Sequence, residues 1–268
     1  MPGPVRLHAE PRTFGHGQFD PGGLVAAKAG RSVSVCVPAR NEAATIGPIV
    51  RSLVSGLTAA GGGLPLVDEV LVVDDGSDDG TAATAARAGA RVIGGETASG
   101  GKGQAMRVAL REASGVFVAF IDADVSGFDP RFVTGLLGPL LTDETTTLVK
   151  GFYRRPLNGS AEGGGRVTEL MARPVIDLLF PELATIRQPL AGETAAPRWV
   201  LEKCTLADGY AVELALLIDV AAHFGVDTIA QVDLGVRVHR NRPLSELRPQ
   251  ATDILAAALA RSPLGENG

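Results

Sequence analysis

The sequence predicts an α/β protein whose mostly parallel β-sheet is flanked by helices. Short apolar runs alternate with helical patterns at close spacing in the first half of the chain, as in successive βαβ units. Polar clusters directly follow three of these runs, and parallel sheets bind their ligands at the carboxyl ends of their strands. The chain has 268 residues, 45% of them hydrophobic, which is enough for one large core or for one domain with an appendage.

The first half contains four predicted strands and three predicted helices. Residues 116–121 are six apolar residues in a row, which predicts a central strand buried on both faces. In chain order the elements are strand 32–37, helix 45–57, strand 67–73, helix 81–88, strand 91–93, helix 104–113 and strand 116–121.

The alternation is less regular in the second half. The pattern predicts helix 130–141, strand 147–153, helix 167–179, irregular chain over 180–210, helix 212–224, one long strand or a strand pair over 227–238, and helix 249–261. Residues 1–30 are rich in Gly, Pro, His and Arg without periodicity and are predicted to be a flexible arm. The predicted fold then divides into a first part, 31–153, and a smaller C-terminal part, 154–268.

Composition excludes several classes of protein. The net charge of −5 argues against a general nucleic-acid binder, which needs a basic face. No apolar run approaches the roughly 18 residues needed to span a membrane, and the start lacks a signal-peptide pattern, so we expect a cytoplasmic protein. Cys36 lies inside an apolar run, which predicts a buried thiol rather than a disulfide with Cys204.

Two carboxylates follow the central strand. Asp122 and Asp124 are separated by one residue, and side chains two apart in extended chain point the same way. Like charges this close repel unless a cation lies between them, and Mg²⁺ or Mn²⁺ commonly bridges a carboxylate to substrate phosphates. The pair predicts a metal–diphosphate site. The alternative is that the two acids cap the next helix or face water.

Other known ligand-binding motifs are excluded because the sequence lacks residues that they require. Residues 38–41 lack the glycines of a dinucleotide fingerprint, and the loop before Lys102 has Glu96 and Gly103 where a Walker A loop needs Gly and Ser or Thr. A calcium loop starting at Asp75 would need a glutamate at its twelfth position, which is Ala86. No paired Cys/His spacing for zinc is present.

Four motifs in the first half resemble nucleotide-sugar glycosyltransferases of the GT-A (Rossmann-like) fold. They are Pro-Ala-Arg-Asn-Glu at 38–42, Val-Asp-Asp-Gly-Ser at 73–77, Gly-Lys-Gly at 101–103 and Asp-Ala-Asp at 122–124. The segments 151–157, 164–170, 209–213 and 237–244 narrow the resemblance to the glucosyl-3-phosphoglycerate synthase family of actinobacteria. The similarity covers about residues 25–260 and makes 154–268 the acceptor-binding part.

The resemblance implies a retaining hexosyltransferase. It would move glucose from UDP-glucose, or from GDP-glucose or mannose from GDP-mannose, to the 2-hydroxyl of 3-phospho-D-glycerate. Mg²⁺ is the implied cofactor, with Mn²⁺ or another divalent cation as substitutes, and a homodimer is the implied assembly. The alternatives are a related transferase with mannose or another acceptor, and a non-catalytic nucleotide-binding regulator.

The resemblance also implies roles for individual residues. Lys102, Asp124 and Glu213 are the expected catalytic set, with Glu213 either catalytic or only orienting the sugar. The implied metal ligands are Asp124 and His239. The implied acceptor-binding residues are Gly165, Arg166, Val167, Thr168 and Asn241. The implied donor-binding residues are Pro38, Ala39, Asn41, Glu42, Asp74, Asp75, Lys102, Asp122, Ala123, Tyr210, Glu213 and Arg237.

Physical chemistry supports several of these roles and leaves alternatives. Glu42 could accept from ribose hydroxyls or be a first-turn acid favoured by its helix dipole. Lys102 is a cation between two glycines, although a solvated lysine is the alternative. The segment 165–168 predicts a helix start, where free N–H groups favour an anion such as phosphate or carboxylate. The resemblance to the mycobacterial members of the family implies serine at the place of Asp75, so the nucleotide preference stays open.

Retention of configuration is compatible with two mechanisms. A double displacement needs a carboxylate close beneath the anomeric carbon. In the other mechanism the acceptor attacks on the face that the diphosphate leaves, and a phosphate oxygen takes the acceptor's proton. The resemblance favours attack on the same face.

Overall fold

The structure is a computed structural model that describes residues 11–94, 100–154, 165–237 and 244–262, with the side chains of 244–246 excepted. In these residues eight strands form one sheet in the order β1-β8-β6-β7-β5-β2-β3-β4. The strands are β1 (Arg12–Gly15), β2 (Val33–Ala39), β3 (Glu69–Asp74), β4 (Arg91–Ile93), β5 (Phe117–Phe120), β6 (Leu148–Arg154), β7 (Thr194–Pro197) and β8 (Ile229–Val236). Only β7 runs antiparallel to its neighbours, so the predicted mostly parallel sheet is confirmed for the described residues.

Helices connect the strands. They are α1 (Pro21–Lys28), α2 (Ala43–Leu57), α3 (Thr81–Arg87), α4 (Lys102–Glu112), α5 (Arg131–Thr142), α6 (Arg173–Leu179), α7 (Arg198–Lys203), α8 (Val212–Phe224) and α9 (Leu244–Ala260). A π-helical segment, Thr168–Ala172, leads directly into α6. Short 3₁₀ turns occupy Pro181–Leu183, Gly209–Ala211 and Val226–Thr228. No helix among the described residues combines the length and the apolar character that crossing a bilayer requires.

The faces of the sheet bury two apolar clusters because side chains alternate along each strand. On β2, Val35 and Val37 belong to one cluster and Cys36 to the other. The same alternation places Val72 of β3 in the first cluster and Val73 in the second. Cys36 is fully buried and free, which confirms the predicted buried thiol.

The prediction of a flexible arm is wrong for residues 11–30. β1 pairs in parallel with β8 and forms an edge of the sheet. Asp20 caps α1 by accepting a hydrogen bond of 2.6 Å from the Gly23 N–H, and Leu24 is buried. A composition rich in Gly and Pro concealed these short elements because neither is long enough to show a period. Residues 1–10 lie outside the described part of the chain.

The expectation of irregular chain over 180–210 is also wrong in part. β7 fills the position between β5 and β6, and α7 follows it. The strand reads Thr-Ala-Ala-Pro, all buried and all small, so it shows neither alternation nor β-branched enrichment. The long apolar pattern near the C-terminus is one strand, β8, rather than a strand pair. Because β7 and β8 join the sheet of the first part, that sheet continues past the predicted division at residue 154.

Val116 does not belong to the central strand. β5 starts at Phe117, and Val116 is 46% exposed. The carboxyl ends of β2, β3 and β5 lie side by side, with Ala39 level with Asp74 and Cys36 level with Phe120. Since β7 runs the other way, its amino end at Thr194 lies level with Phe120 at this same edge. The candidate site lies at this edge of the sheet.

Candidate active site

The polar clusters that follow β2, β3 and β5 converge on one cavity of about 210 Å³. The start of α4 and the turn before α8 close its sides. Nine of the residues predicted for donor, metal or catalytic roles line this cavity. They are Pro38, Ala39, Glu42, Asp75, Lys102, Asp122, Ala123, Asp124 and Tyr210.

Lys102 is the first residue of α4, and the chain before it is held in place by Asp75. Asp75 Oδ1 accepts hydrogen bonds of 2.9 Å from the Gly100 N–H and 3.2 Å from the Gly101 N–H. Gly101 adopts φ 82°, a conformation that favours glycine and lets the helix start at this angle. The loop geometry thus directs the Lys102 side chain toward the cavity.

The Lys102 ammonium lies between two carboxylates. Its Nζ is 2.5 Å from Asp122 Oδ1 and 2.6 Å from Glu213 Oε1. Burial alone would lower the pKa of Lys102, but the attraction of Asp122 and Glu213 outweighs it and holds the pKa well above its ordinary value. Lys102 is therefore a permanent cation, not a proton donor, at neutral pH.

Arg237 directly follows β8 and contacts both aspartates. Its Nη2 donates to Asp124 Oδ1 at 2.6 Å, and its Nη1 lies 3.4 Å from Asp122 Oδ2. Nη1 also contacts Glu193 and the Tyr153 hydroxyl. Burial would lower the pKa of Arg237, but Glu193 and the other partners raise it above its ordinary range.

Two residues of the site that precede β7 were not predicted from the sequence. Glu193 is 1% exposed and forms an ion pair with Arg237. Burial raises the pKa of Glu193, which Arg237 opposes. Gly192 packs so closely against the site that a Cβ there would collide with Asp122 Oδ1 and Lys102 Nζ. The available signal was a Gly-Glu pair beside a run of small residues.

A third residue that was not predicted is Lys150, which lies inside β6 and is 2% exposed. Its Nζ donates a hydrogen bond of 2.5 Å to the carbonyl of Ala191. Burial lowers the pKa of Lys150 to about 8, with Lys102 adding to this effect and the carboxylates of Glu213, Glu193 and Asp122 opposing it. Lys150 thus anchors the segment that carries Gly192 and Glu193.

The other residues predicted to bind the donor do not line the cavity. Glu213 and Arg237 do not line the cavity but pair with residues that do. Asn41 and Asp74 lie outside the lining as well. The Asn41 side chain accepts from the Asp78 N–H at 3.1 Å, and Asp74 Oδ2 accepts from the Ser77 N–H at 3.3 Å. Both hold the loop after β3, so their contact with a donor stays a prediction.

The predicted acceptor segment is a helix start, as expected. Gly165 has φ 100°, its carbonyl accepts from the Glu169 N–H at 2.9 Å, and helical structure begins at Arg166. Val167 and Thr168 continue it into the π-helical segment, an irregularity that often marks functional positions. Asn241, the fifth predicted acceptor residue, and the arginines at 240 and 242 lie outside the described residues.

The predicted metal site is described only at Asp124, because His239 lies outside the described residues. No group of three or more His, Cys, Asp or Glu side chains that could hold a metal occurs within the described part of the chain. Asp124 lines the cavity, and its side chain is 40% exposed. Oxygen donors of this kind fit Mg²⁺ or Mn²⁺, which often takes one or two carboxylates and completes its shell with substrate phosphates and water.

Comparisons with known proteins agree with this geometry. The family model described as glycosyl transferase family 2 matches residues 34–176. A glucosyl-3-phosphoglycerate synthase from Mycolicibacterium smegmatis is 48% identical over 91% of this chain and 82% of its own length. One from Petrotoga mobilis is 40% identical over 93% of this chain and 80% of its own length.

Solved structures give the same result. A crystal structure of the Mycobacterium tuberculosis glucosyl-3-phosphoglycerate synthase with Mn²⁺, UDP-glucose and phosphoglyceric acid superposes with a TM-score of 0.84 at 46% identity. The match covers 94% of this chain and 87% of that one. Another structure of that enzyme, with Mn²⁺, UDP and glucosyl-3-phosphoglycerate, has a TM-score of 0.83 at 45% identity over 94% of this chain and 88% of its own.

The fold and the cavity define a family 2 glycosyltransferase of the GT-A fold, as the motifs predicted. Within that class the relatives cover nearly the whole chain at close to half identity. The chain belongs to the glucosyl-3-phosphoglycerate synthase family.

Proposed function

We propose that this chain transfers glucose from UDP-glucose to the 2-hydroxyl of 3-phospho-D-glycerate, with retention and with a divalent cation, to give glucosyl-3-phosphoglycerate. The convergence of Lys102, Asp122 and Asp124 on one cavity carries the proposal. Support comes from the relative at 46% identity whose crystal structure contains UDP-glucose, Mn²⁺ and phosphoglyceric acid.

On the donor side the chain supplies positive charge and oxygen ligands. Lys102 lies at the cavity wall as a permanent cation and would bind the departing diphosphate. Asp124, with His239 as the predicted second ligand, would hold the divalent cation, which offsets the charge that builds on the leaving group. Asp75 would orient the base because its carboxylate lies at the end of the cavity formed by β2 and β3.

Glu213 acts in this proposal by orientation. It lies in the first turn of α8 and is 6% exposed. Its carboxylate forms an ion pair of 2.6 Å with Lys102. A carboxylate neutralised in this way is a poor nucleophile but a good acceptor for sugar hydroxyls. This arrangement supports attack on the same face over double displacement.

The acceptor would bind at the helix start formed by Gly165, Arg166, Val167 and Thr168. Phosphoglycerate carries a phosphate and a carboxylate, and free backbone N–H groups at a helix start favour anions. Asn241, outside the described residues, is the fifth predicted contact.

A cytoplasmic location and a homodimer belong to the same proposal. Both cysteines are free, as is usual in a reducing compartment. Leu170 and Leu178 in the C-terminal half are 78% and 80% exposed, which supplies apolar surface for a second copy. Light scattering during gel filtration would test the dimer, and Leu178→Glu should shift the mass to that of a monomer.

The activity is tested by supplying Mg²⁺, radiolabelled UDP-glucose and 3-phosphoglycerate, with phosphoglycerate omitted as the control. Labelled product only with phosphoglycerate supports the proposal. Nucleotide binding without product would instead support a regulatory protein. A panel of UDP- and GDP-linked glucose and mannose then decides the donor, and product from GDP-mannose alone would overturn the choice of UDP-glucose.

A further inference from the structure

Arg237 makes more charged contacts than its place in the donor site requires. The residue is 5% exposed and touches three carboxylates, those of Asp122, Asp124 and Glu193. Asp124 is the carboxylate that the proposed function gives to the divalent cation. In this structure its Oδ1 is occupied by Arg237 Nη2 at 2.6 Å.

The ion pair between Arg237 and Glu193 has only one of the two hydrogen bonds that an arginine and a carboxylate can form. Arg237 Nε and Glu193 Oε2 are both buried and have no hydrogen-bond partner in the described part of the chain. Buried polar atoms are nearly always bonded, so two orphans within one ion pair need an explanation. A guanidinium normally meets a carboxylate through two parallel hydrogen bonds, and here only Nη1 meets Oε1.

Completing that pair through Nε would draw Arg237 away from Asp124. The side of the guanidinium that carries Nε–H also carries Nη2, so a two-bond contact through Nε uses both nitrogens. Nη2 is the nitrogen that Asp124 holds. A rotation of the guanidinium that brings Nε and Nη2 onto Glu193 would therefore satisfy both orphaned atoms and free the Asp124 carboxylate.

We propose that Arg237 is an internal counter-ion of Asp124 that yields this carboxylate to a divalent cation by moving onto Glu193. A guanidinium and a divalent cation repel each other on one carboxylate, and a buried arginine needs another negative partner when it leaves. Glu193 provides that partner at 1% exposure, in a segment anchored by Lys150. Glu193 is thus a positioning residue that sets the affinity of the site for its cation. This inference rests on the proposed role of Asp124.

The test measures Mn²⁺ binding to the whole protein without donor or acceptor, by electron paramagnetic resonance of free Mn²⁺. In Glu193→Gln, Arg237 loses its alternative partner and stays on Asp124, so Mn²⁺ should bind about tenfold more weakly than in the native protein. In the Arg237→Gln background the competitor is absent, so adding Glu193→Gln should change Mn²⁺ affinity by less than about twofold. That background is the matched control.

An equal loss from Glu193→Gln in both backgrounds would mean that Glu193 acts only through its charge and would overturn the exchange. If Glu193→Gln left the Mn²⁺ affinity unchanged in both backgrounds, the proposed exchange would also be overturned. Glucose transfer by the native protein is assayed in parallel. Turnover without coupling between Glu193 and Arg237 leaves the proposed function standing, whereas absence of both Mn²⁺ binding and turnover refutes that function as well.

A second measurement needs no substitution in the protein that is titrated. The Nε–H signal of Arg237, assigned by its loss in Arg237→Gln, is followed in ¹⁵N-arginine-labelled native protein as Mg²⁺ is added. Engagement of Nε by Glu193 should move its proton signal downfield as the cation saturates. A signal that stays in place at saturating Mg²⁺ would rule out the movement.

Discussion

Lys102 and Glu213 form an ion pair of 2.6 Å that joins the start of α4 to the start of α8. Asp122 lies on the other side of the same ammonium at 2.5 Å. The three residues come from distant parts of the chain, and the two carboxylates hold the ammonium of Lys102 in its charged form.

Replacing Lys102 by Met should lower kcat by about 10²–10³-fold, because a fixed cation next to the departing diphosphate is lost. Asp122 and Glu213 would also repel each other, so some loss of thermal stability is expected. Steady-state kinetics with saturating donor measure the effect. Lys203→Met on α7, whose ammonium lies over the Trp199 ring, is the control and should retain native kcat. If the two variants had equal kcat, Lys102 would have no role in the reaction.

Gly192→Ala should lower activity on the order of 100-fold while the fold persists. The added methyl would push Asp122 and Lys102 apart, and displacement of reacting groups by about 1 Å costs roughly this much. Gly17→Ala, where a Cβ meets no atom, is the matched control. Both variants are compared by turnover and by circular dichroism. Native turnover in Gly192→Ala would show that the close approach is not needed.

Asp75→Ala should raise the KM for the sugar nucleotide about tenfold, since the N–H groups of Gly100 and Gly101 lose a charged acceptor. The KM for phosphoglycerate should stay near its native value. Asp75→Asn keeps an oxygen at the same place and separates the hydrogen bonds from the charge. A larger effect on the acceptor KM than on the donor KM would contradict the placement of Asp75 beside the nucleotide.

Lys150 should make stability depend on pH above neutrality. Its pKa in the fold is about 8 against an ordinary 10.5, so between these values the unfolded chain binds more protons and stability rises with pH. The free energy of unfolding of the native protein minus that of Lys150→Met should therefore increase from pH 8 toward pH 10. The slope approaches about 1.4 kcal/mol per pH unit. Urea titrations at pH 7, 8.5 and 10 measure it, and a flat or falling difference would contradict the lowered pKa.

The parallel strands and the residues that follow them could be predicted from the sequence because the information is local. Residues 67–73 were predicted as a strand that is followed by two aspartates, and the structure has β3 over Glu69–Asp74 with Asp75 at the cavity. Pro38 was expected to end the first strand, yet it lies inside β2 opposite Val73. β2 pairs with β5 only as far as Cys36, so the missing N–H of Pro38 interrupts no pairing with that strand.

Glu193 and Gly192 could not be predicted in the same way. Their importance comes from contacts with Arg237, Asp122 and Lys102, all distant in sequence, and β7 has no pattern of its own. Lys150 offered a visible signal, since an ionisable residue in the middle of a predicted buried strand needs a partner. His239 and Asn241 stay predictions.

The reversed direction of β7 affects how this active site can diversify. In a wholly parallel sheet, only the loops that leave the strands reach the rim where ligands bind. Because β7 runs backwards, the loop that enters it reaches the rim as well. The stretch between α6 and β7 can therefore be remodelled to reshape the catalytic floor while every other strand and its outgoing loop remain untouched.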